Sequence, residues 1–284
     1  MDIPSQTTSS EEFKTLLSYV TDNPDINVTL SDFMNPLYQA CENTQPAYSL
    51  SEDDLSTHLR RAWDSMLLTA AQTSHDSADQ DKLVWIMKRL VAQAPLTDAN
   101  QKVVEIEGSR VWTDLPLFGQ QARSAWNFPA DQEVDQQVKE KWINVNAFMA
   151  RLTAAYWEGS KIEVKEGDVL NAGALDFSLY GIWSLRSAFE EELGKKGKTT
   201  DAQIGAAAAW VVYASTALKG LAEKKKEFQG KVAKPGTKLR EKEWRGYNEK
   251  RWQAWGRELA NSQDLVQDDS VRDLVRKAIE LTKQ

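Results

Sequence analysis

The chain has 284 residues, 41% of them apolar and 27% charged, with 14 Gly, 8 Pro and a formal net charge of -7. This composition excludes a disordered or fibrous chain, and the length fits one large domain or two small ones, of which one is expected. Cys41 is the single cysteine and His58 and His75 are the two histidines, so neither an internal disulfide nor a Cys/His zinc cluster can form, which suits a reducing compartment.

The first residues, Met1 to Gln6, contain no basic segment and no apolar run, so no leader peptide is readable there. No stretch reaches the roughly 20 uninterrupted apolar residues of a membrane helix, and the expectation is a cytoplasmic protein without a membrane partner. Residues 1–50 are expected to form an N-terminal helical extension, and 51–284 one helical domain. From Leu55 the apolar residues Leu59, Ala62, Trp63, Met66, Leu67 and Ala70 recur at three- and four-residue steps and lie on one helix face, with Ser51 placed to cap it. A second stripe, Leu83, Ile86, Met87, Leu90 and Val91, stops before Pro95, and these two helices are expected to pair as a hairpin. Residues 103–112 alternate apolar and charged side chains around Gly108, the pattern of a short β-hairpin, and a second hairpin is expected at 161–170.

Further along, Trp142, Val145, Met149, Leu152 and Tyr156 mark one helix, and Leu179 to Leu193, ending at Gly194, another. The most apolar segment, Ala206 to Leu218, reads as a central buried helix. Trp244, Tyr247, Trp252, Trp255 and Leu259 predict a further helix, and Val271 to Ile279 the last. The fold expected is therefore all-α, a single helical domain of about eight to ten helices with one or two short β-hairpins.

Charge is uneven. Residues 1–60 hold ten acids against Lys14 and Arg60, whereas 219–257 hold thirteen bases against five acids. Acids interrupt the basic run and the chain as a whole is acidic, which weakens counterion-release binding and makes nucleic acid an unexpected partner.

Enzyme signatures are missing: no phosphate loop, no dinucleotide fingerprint, no His-Glu-x-x-His pair and no Gly-x-Ser-x-Gly elbow. His58 reads as a boundary histidine, His75 as a linker residue and Cys41 as a small buried hydrophobe. Asp268 and Asp269 precede an apolar stripe, where acids complement a helix dipole, so they read as a helix start in preference to a magnesium site. No metal and no cofactor is expected. Eleven tryptophans stand out, and Trp63, Trp142, Trp183, Trp210, Trp244 and Trp255 fall on the helical stripes. Such stripes usually form core, but a core lined with indoles can also leave a cavity for an apolar or cationic ligand.

Three segments carry a recognisable pattern: Val111-Trp112-Thr113-Asp114-Leu115-Pro116 with Trp126-Asn127 beyond it; Asn144-Val145-Asn146-Ala147-Phe148; and Trp183-Ser184-Leu185-Arg186-Ser187-Ala188-Phe189-Glu190. Together with the helix from Gln80 they resemble a family of fungal proteins known as a domain of unknown function, across roughly residues 60–260. The resemblance implies an intracellular, mainly helical protein and supplies no catalytic residues. On physical grounds Asp114, before Leu115-Pro116, offers a helix cap, and Arg151 and Arg186 can stack on a tryptophan or pair with Asp114, Asp176 or Glu190.

The function expected is that of an intracellular helical protein binding a small molecule or a protein partner. The alternative is a cofactor-free cyclase or isomerase of fungal specialised metabolism with an aromatic-lined cavity. The candidate ligand-binding residues are Trp112, Asp114, Trp126, Asn146, Arg151, Trp183 and Arg186, expected around one concavity.

Overall fold

A computed structural model of the chain describes residues 5–43, 50–98, 100–126, 132–159, 172–192 and 199–283. Its elements are α1 (Glu11–Asp22), α2 (Ile26–Asn43), α3 (Glu52–Gln72), α4 (Asp79–Val91), β1 (Glu105–Ile106), β2 (Ser109–Arg110), α5 (Phe118–Ala125), α6 (Gln136–Gly159), α7 (Ser178–Phe189), α8 (Asp201–Glu223), α9 (Glu249–Ser262) and α10 (Asp269–Thr282). The fold is all-α with one short antiparallel hairpin among the described residues. The second expected hairpin, at 161–170, lies outside them.

The chain divides into two compact units, one of residues 1–128 with 162–174, the other of 129–161 with 175–284. A unit assembled from two separated stretches leaves no local mark in the sequence, because its boundary is defined by packing and not by a linker composition.

In the first unit α1 and α2 pack against α3 and α4. Phe13, Leu16, Leu30 and Phe33 are all buried there, as amphipathic helices require. Arg61 of α3 reaches Glu12 of α1 at 2.9 Å, and the Glu12 side chain is buried. Ser51 caps α3 by accepting from the Asp54 amide, and Gln80 of α4 donates to the Ala70 and Thr73 carbonyls at the end of α3. The hairpin turns at Glu107 and Gly108, both at positive φ (51° and 74°), the geometry of a two-residue turn that matches strand twist.

In the second unit α8 is the central helix, packed by α6, α7, α9 and α10. Its small residues allow close approach: a Cβ on Gly205 would sit 2.5 Å from Ile143 of α6, and one on Gly220 2.1 Å from the Trp157 ring. At 23 residues α8 is longer than the apolar core Ala206 to Leu218, and it is the described helix long and apolar enough to cross a membrane. Most of it is buried inside the unit instead. The helical path breaks at Ala214 (φ -137°, ψ 15°).

Two helix boundaries differ from the sequence reading. The helix expected from Trp244 begins only at Glu249, capped by Asn248, so Trp244 and Tyr247 belong to the preceding loop. The helix α7 stops at Phe189, because Glu190 turns inward and its carbonyl accepts from Lys238 of that loop.

Candidate functional site

The seven residues singled out from the sequence do not gather in either unit. Trp112, Asp114 and Trp126 belong to the first, and Asn146, Arg151, Trp183 and Arg186 to the second. Trp112 is a core residue, edge-on to Trp63 at 5.7 Å and beside Phe33 at 6.1 Å. It lies at φ 66°, and Leu115 and Leu117 are also left-handed, so residues 112–117 form a strained segment. Two interactions hold it: the Trp63 indole donates to the Pro116 carbonyl at 2.7 Å, and Arg110 forks onto Asp114 at 2.8 to 3.2 Å. Asp114 is thus an ion-pair partner and not a helix cap. The next helix starts four residues later, at Phe118.

Asn146 is fully buried and works as a junction: its amide donates to the Trp142 carbonyl, while its oxygen accepts from Ser184 at 2.6 Å and from the Trp210 indole at 2.9 Å. Those bonds tie α6 to α7 and α8, and satisfying the side chain in this way is a condition of its burial. Trp183 donates to the Val232 carbonyl. Arg186 donates to the Lys234 carbonyl and pairs with Glu191, not with Asp114, Asp176 or Glu190. Arg151 stacks on Tyr213 at 3.6 Å.

Glu190, offered above as a partner for those arginines, belongs to Arg251. Both side chains are fully buried; the guanidinium reaches the carboxylate at 2.7 and 3.0 Å, and the Trp255 indole and the Gly236 amide complete the carboxylate's shell at 2.7 and 2.8 Å. Arg251 also donates to the Ala233 and Gly246 carbonyls. Tyr247, fully buried beside it, donates to the Ser178 carbonyl, and burial pushes its phenol well above the ordinary range, with Asp176 adding to this and Arg251 opposing it.

One concave surface of the second unit lies beside the break in α8. A cleft of about 320 Å³ opens against α8, with Trp157 of α6, Trp252 of α9 and Leu281 of α10 as apolar walls. From α8 itself come Ser215, Thr216, Lys219, Gly220 and Glu223. Trp157 lies against Gly220, where no side chain would fit, and Lys224 sits 4.5 Å over its ring. A smaller cleft of about 150 Å³ shares Trp157, Ser215 and Thr216 and adds Glu158 and Tyr213. Of the seven expected residues, Arg151 borders this region, through Tyr213. Nothing in the sequence marked the groove except the change within α8 from an apolar run to Lys219, Gly220 and Glu223.

A third cleft, about 290 Å³, lies at the starts of α6, α8 and α10 and includes Lys139, Asp201 and Asp268. Helix N-termini attract anions, and here the chain supplies its own. Asp201 accepts from the amides of Gln267 and Asp268, and Asp268 caps α10 and pairs with Lys139. Burial alone would raise the Asp268 carboxyl, but hydrogen bonds from Lys139, Ser270 and Gln136 outweigh it and hold it well below the usual carboxylate range. Asp64 of the first unit moves the other way, raised by burial against a bond from Gln121. His58, paired with Arg61 at 2.8 Å, is lowered by burial and by that arginine's charge.

The fold and its clefts thus define a mainly helical protein built on buried aromatic clusters. Residues 63–259 match the model of a family described as a protein of unknown function, DUF3632, and the chain belongs to that family. Comparisons with curated proteins and with solved structures return no match.

Proposed function

We propose that the protein binds a small molecule in the groove where α8 breaks. The observation that supports this reading most directly is the pairing of Trp157 and Trp252 as walls with Ser215, Thr216, Lys219 and Glu223 as a polar rim. Its volume, about 320 Å³, lies at the lower end of ligand pockets, which are typically about 300 to 1,000 Å³, and mostly apolar walls with a few orienting polar groups are their usual lining. A ligand with a flat apolar body and a polar or zwitterionic end suits that arrangement, since Lys219 and Glu223 offer both signs of charge one helical turn apart. A cytoplasmic setting suits Cys41, a buried thiol.

The test is a metabolite screen read by tryptophan fluorescence and thermal shift, repeated on Thr216→Trp. Thr216 is exposed on the groove, so the new indole fills it while leaving the core alone. Compounds that shift the native protein and not the variant, at equal melting temperatures without ligand, support the reading. Equal response in both proteins, or no response at about millimolar concentrations, which correspond to only ~4 kcal/mol of binding, refutes it. The alternative, a cofactor-free enzyme in the same groove, would use Glu223 as its acid or base. Turnover abolished by Glu223→Gln with binding retained would favour that alternative.

A further inference from the structure

The loop between α8 and α9 concentrates positive charge. Residues 224–248 contain seven Lys and two Arg against three Glu, a net of +6 in a chain of -7, so the remainder carries -13. All nine basic side chains belong to exposed residues. Lys238 pairs with Glu258 and Arg240 with Glu241, while Lys225, Lys231, Lys234, Lys242 and Arg245 make no ion pair with a described residue.

This loop has a defined shape. Its ends meet as an antiparallel neck, Phe228 donating to the Arg245 carbonyl and Tyr247 to the Lys226 carbonyl. Inside the loop the Arg251 guanidinium gathers the carbonyls of Ala233, Gly246 and, at 3.5 Å, Lys234, so the segment bearing Lys231 and Lys234 and the one bearing Arg245 lie over the same buried group. Glu190 holds the Gly236 amide from the other side. Beside Lys231 the Val232 side chain is 44% exposed, while its carbonyl is held by the Trp183 indole. A buried ion pair is an expensive way to fill a core, and apolar residues of the same volume often do as well or better. Here its hydrogen bonds go mainly to loop backbone, and a cationic surface fixed in advance avoids the ordering cost of binding.

We propose that this loop is a docking surface for an acidic polypeptide segment of a partner protein, with carboxylates meeting Lys231, Lys234 and Arg245 and an apolar side chain meeting Val232. Three observations favour a short acidic segment over an extended polyanion. The cations are mostly lysines, point charges without the fork that selects phosphate. An apolar side chain stands among them. Glu227, Glu241 and Glu243 interrupt the cations, so the positive charge forms short patches, and screening over about 8 Å confines a peptide to the charges it touches.

The experiment uses the full chain and a fluorescein-labelled dodecapeptide of Asp and Glu with one central Leu, followed by anisotropy. Competitors are a short DNA duplex and phosphatidylserine vesicles. Expected are saturable binding that weakens as salt rises, and a loss of about tenfold or more in the double variant Lys231→Glu/Lys234→Glu, since reversing two exposed charges removes attraction and adds repulsion of similar size. Val232→Ser should weaken binding further by about threefold, and Lys14→Glu, on α1 of the other unit, should leave it unchanged. The charge variants alter exposed residues, so unchanged circular dichroism and melting temperature verify their fold. Absence of peptide binding, equal binding by the double variant, or tighter binding of duplex or vesicles than of peptide overturns the proposal.

Discussion

Replacing Arg251 with Met tests the buried pair that organises the second unit. The substitution keeps most of the apolar stem and removes a guanidinium that is fully buried and donates to Glu190 twice, to Ala233 and to Gly246. Left behind are a carboxylate in the core with two remaining donors, Trp255 and Gly236, and two backbone carbonyls without theirs. Breaking a buried pair by removing one partner costs about 3–5 kcal/mol. An orphaned carbonyl costs about 1–3 kcal/mol where water cannot reach it, and the two figures overlap because both are counted in measured truncations. The expected loss is therefore about 3–5 kcal/mol. In the second unit, about 140 residues long, this corresponds to a fall in melting temperature of roughly 10–20 °C. Urea titration monitored by tryptophan fluorescence gives the number, with Trp255 next to the lesion as reporter. The double variant Glu190→Gln/Arg251→Met should be more stable than Arg251→Met alone, because the uncompensated charge is gone, and a double-mutant cycle isolates that coupling. A loss below about 1 kcal/mol for Arg251→Met, the scale of an exposed pair, or no recovery in the double variant, would refute the assignment of this pair as the internal pin of the loop.

Lys225 follows the last turn of α8 at φ 52°, with Lys226 donating back to Leu221 as in a glycine-terminated helix end, so Lys225→Gly should stabilise by about 1 kcal/mol in urea titration. A Cβ on Gly236 would lie 2.5 Å from the Glu190 carbonyl oxygen, so Gly236→Ala should destabilise by about 1–3 kcal/mol, measured the same way. For Asp268, whose carboxyl is held low by Lys139, Ser270 and Gln136, the stabilisation is present above the unfolded value near ~4 and is lost as pH falls below it. Asp268→Asn should therefore cost about 1 kcal/mol at neutral pH, with the gap from the native protein narrowing progressively below about pH 4. A gap independent of pH would show that the carboxylate charge contributes nothing there.

The sequence by itself determined where most helices run. Periodicity and caps are local, and Ser51 and Asp268 start α3 and α10 because a side-chain oxygen two or three residues away satisfies an otherwise orphaned amide. It also held the family resemblance, which the match over residues 63–259 bears out. Tertiary structure decided the rest. Glu190 and Arg251 are 61 positions apart, and nothing local distinguishes a buried arginine from an exposed one; only the donors and acceptors that packing brings around them make burial tolerable. The same reasoning applies to Asn146, polar on an apolar stripe, whose role as a junction required Ser184 and Trp210 from two other helices. The seven residues chosen for their aromatic and polar character divide between two units because residue type records chemistry, whereas proximity is set by how whole helices bury their faces. The groove beside Ala214 was hidden for a related reason: a break in a helix and a tryptophan laid against Gly220 are consequences of packing that a helical periodicity does not encode.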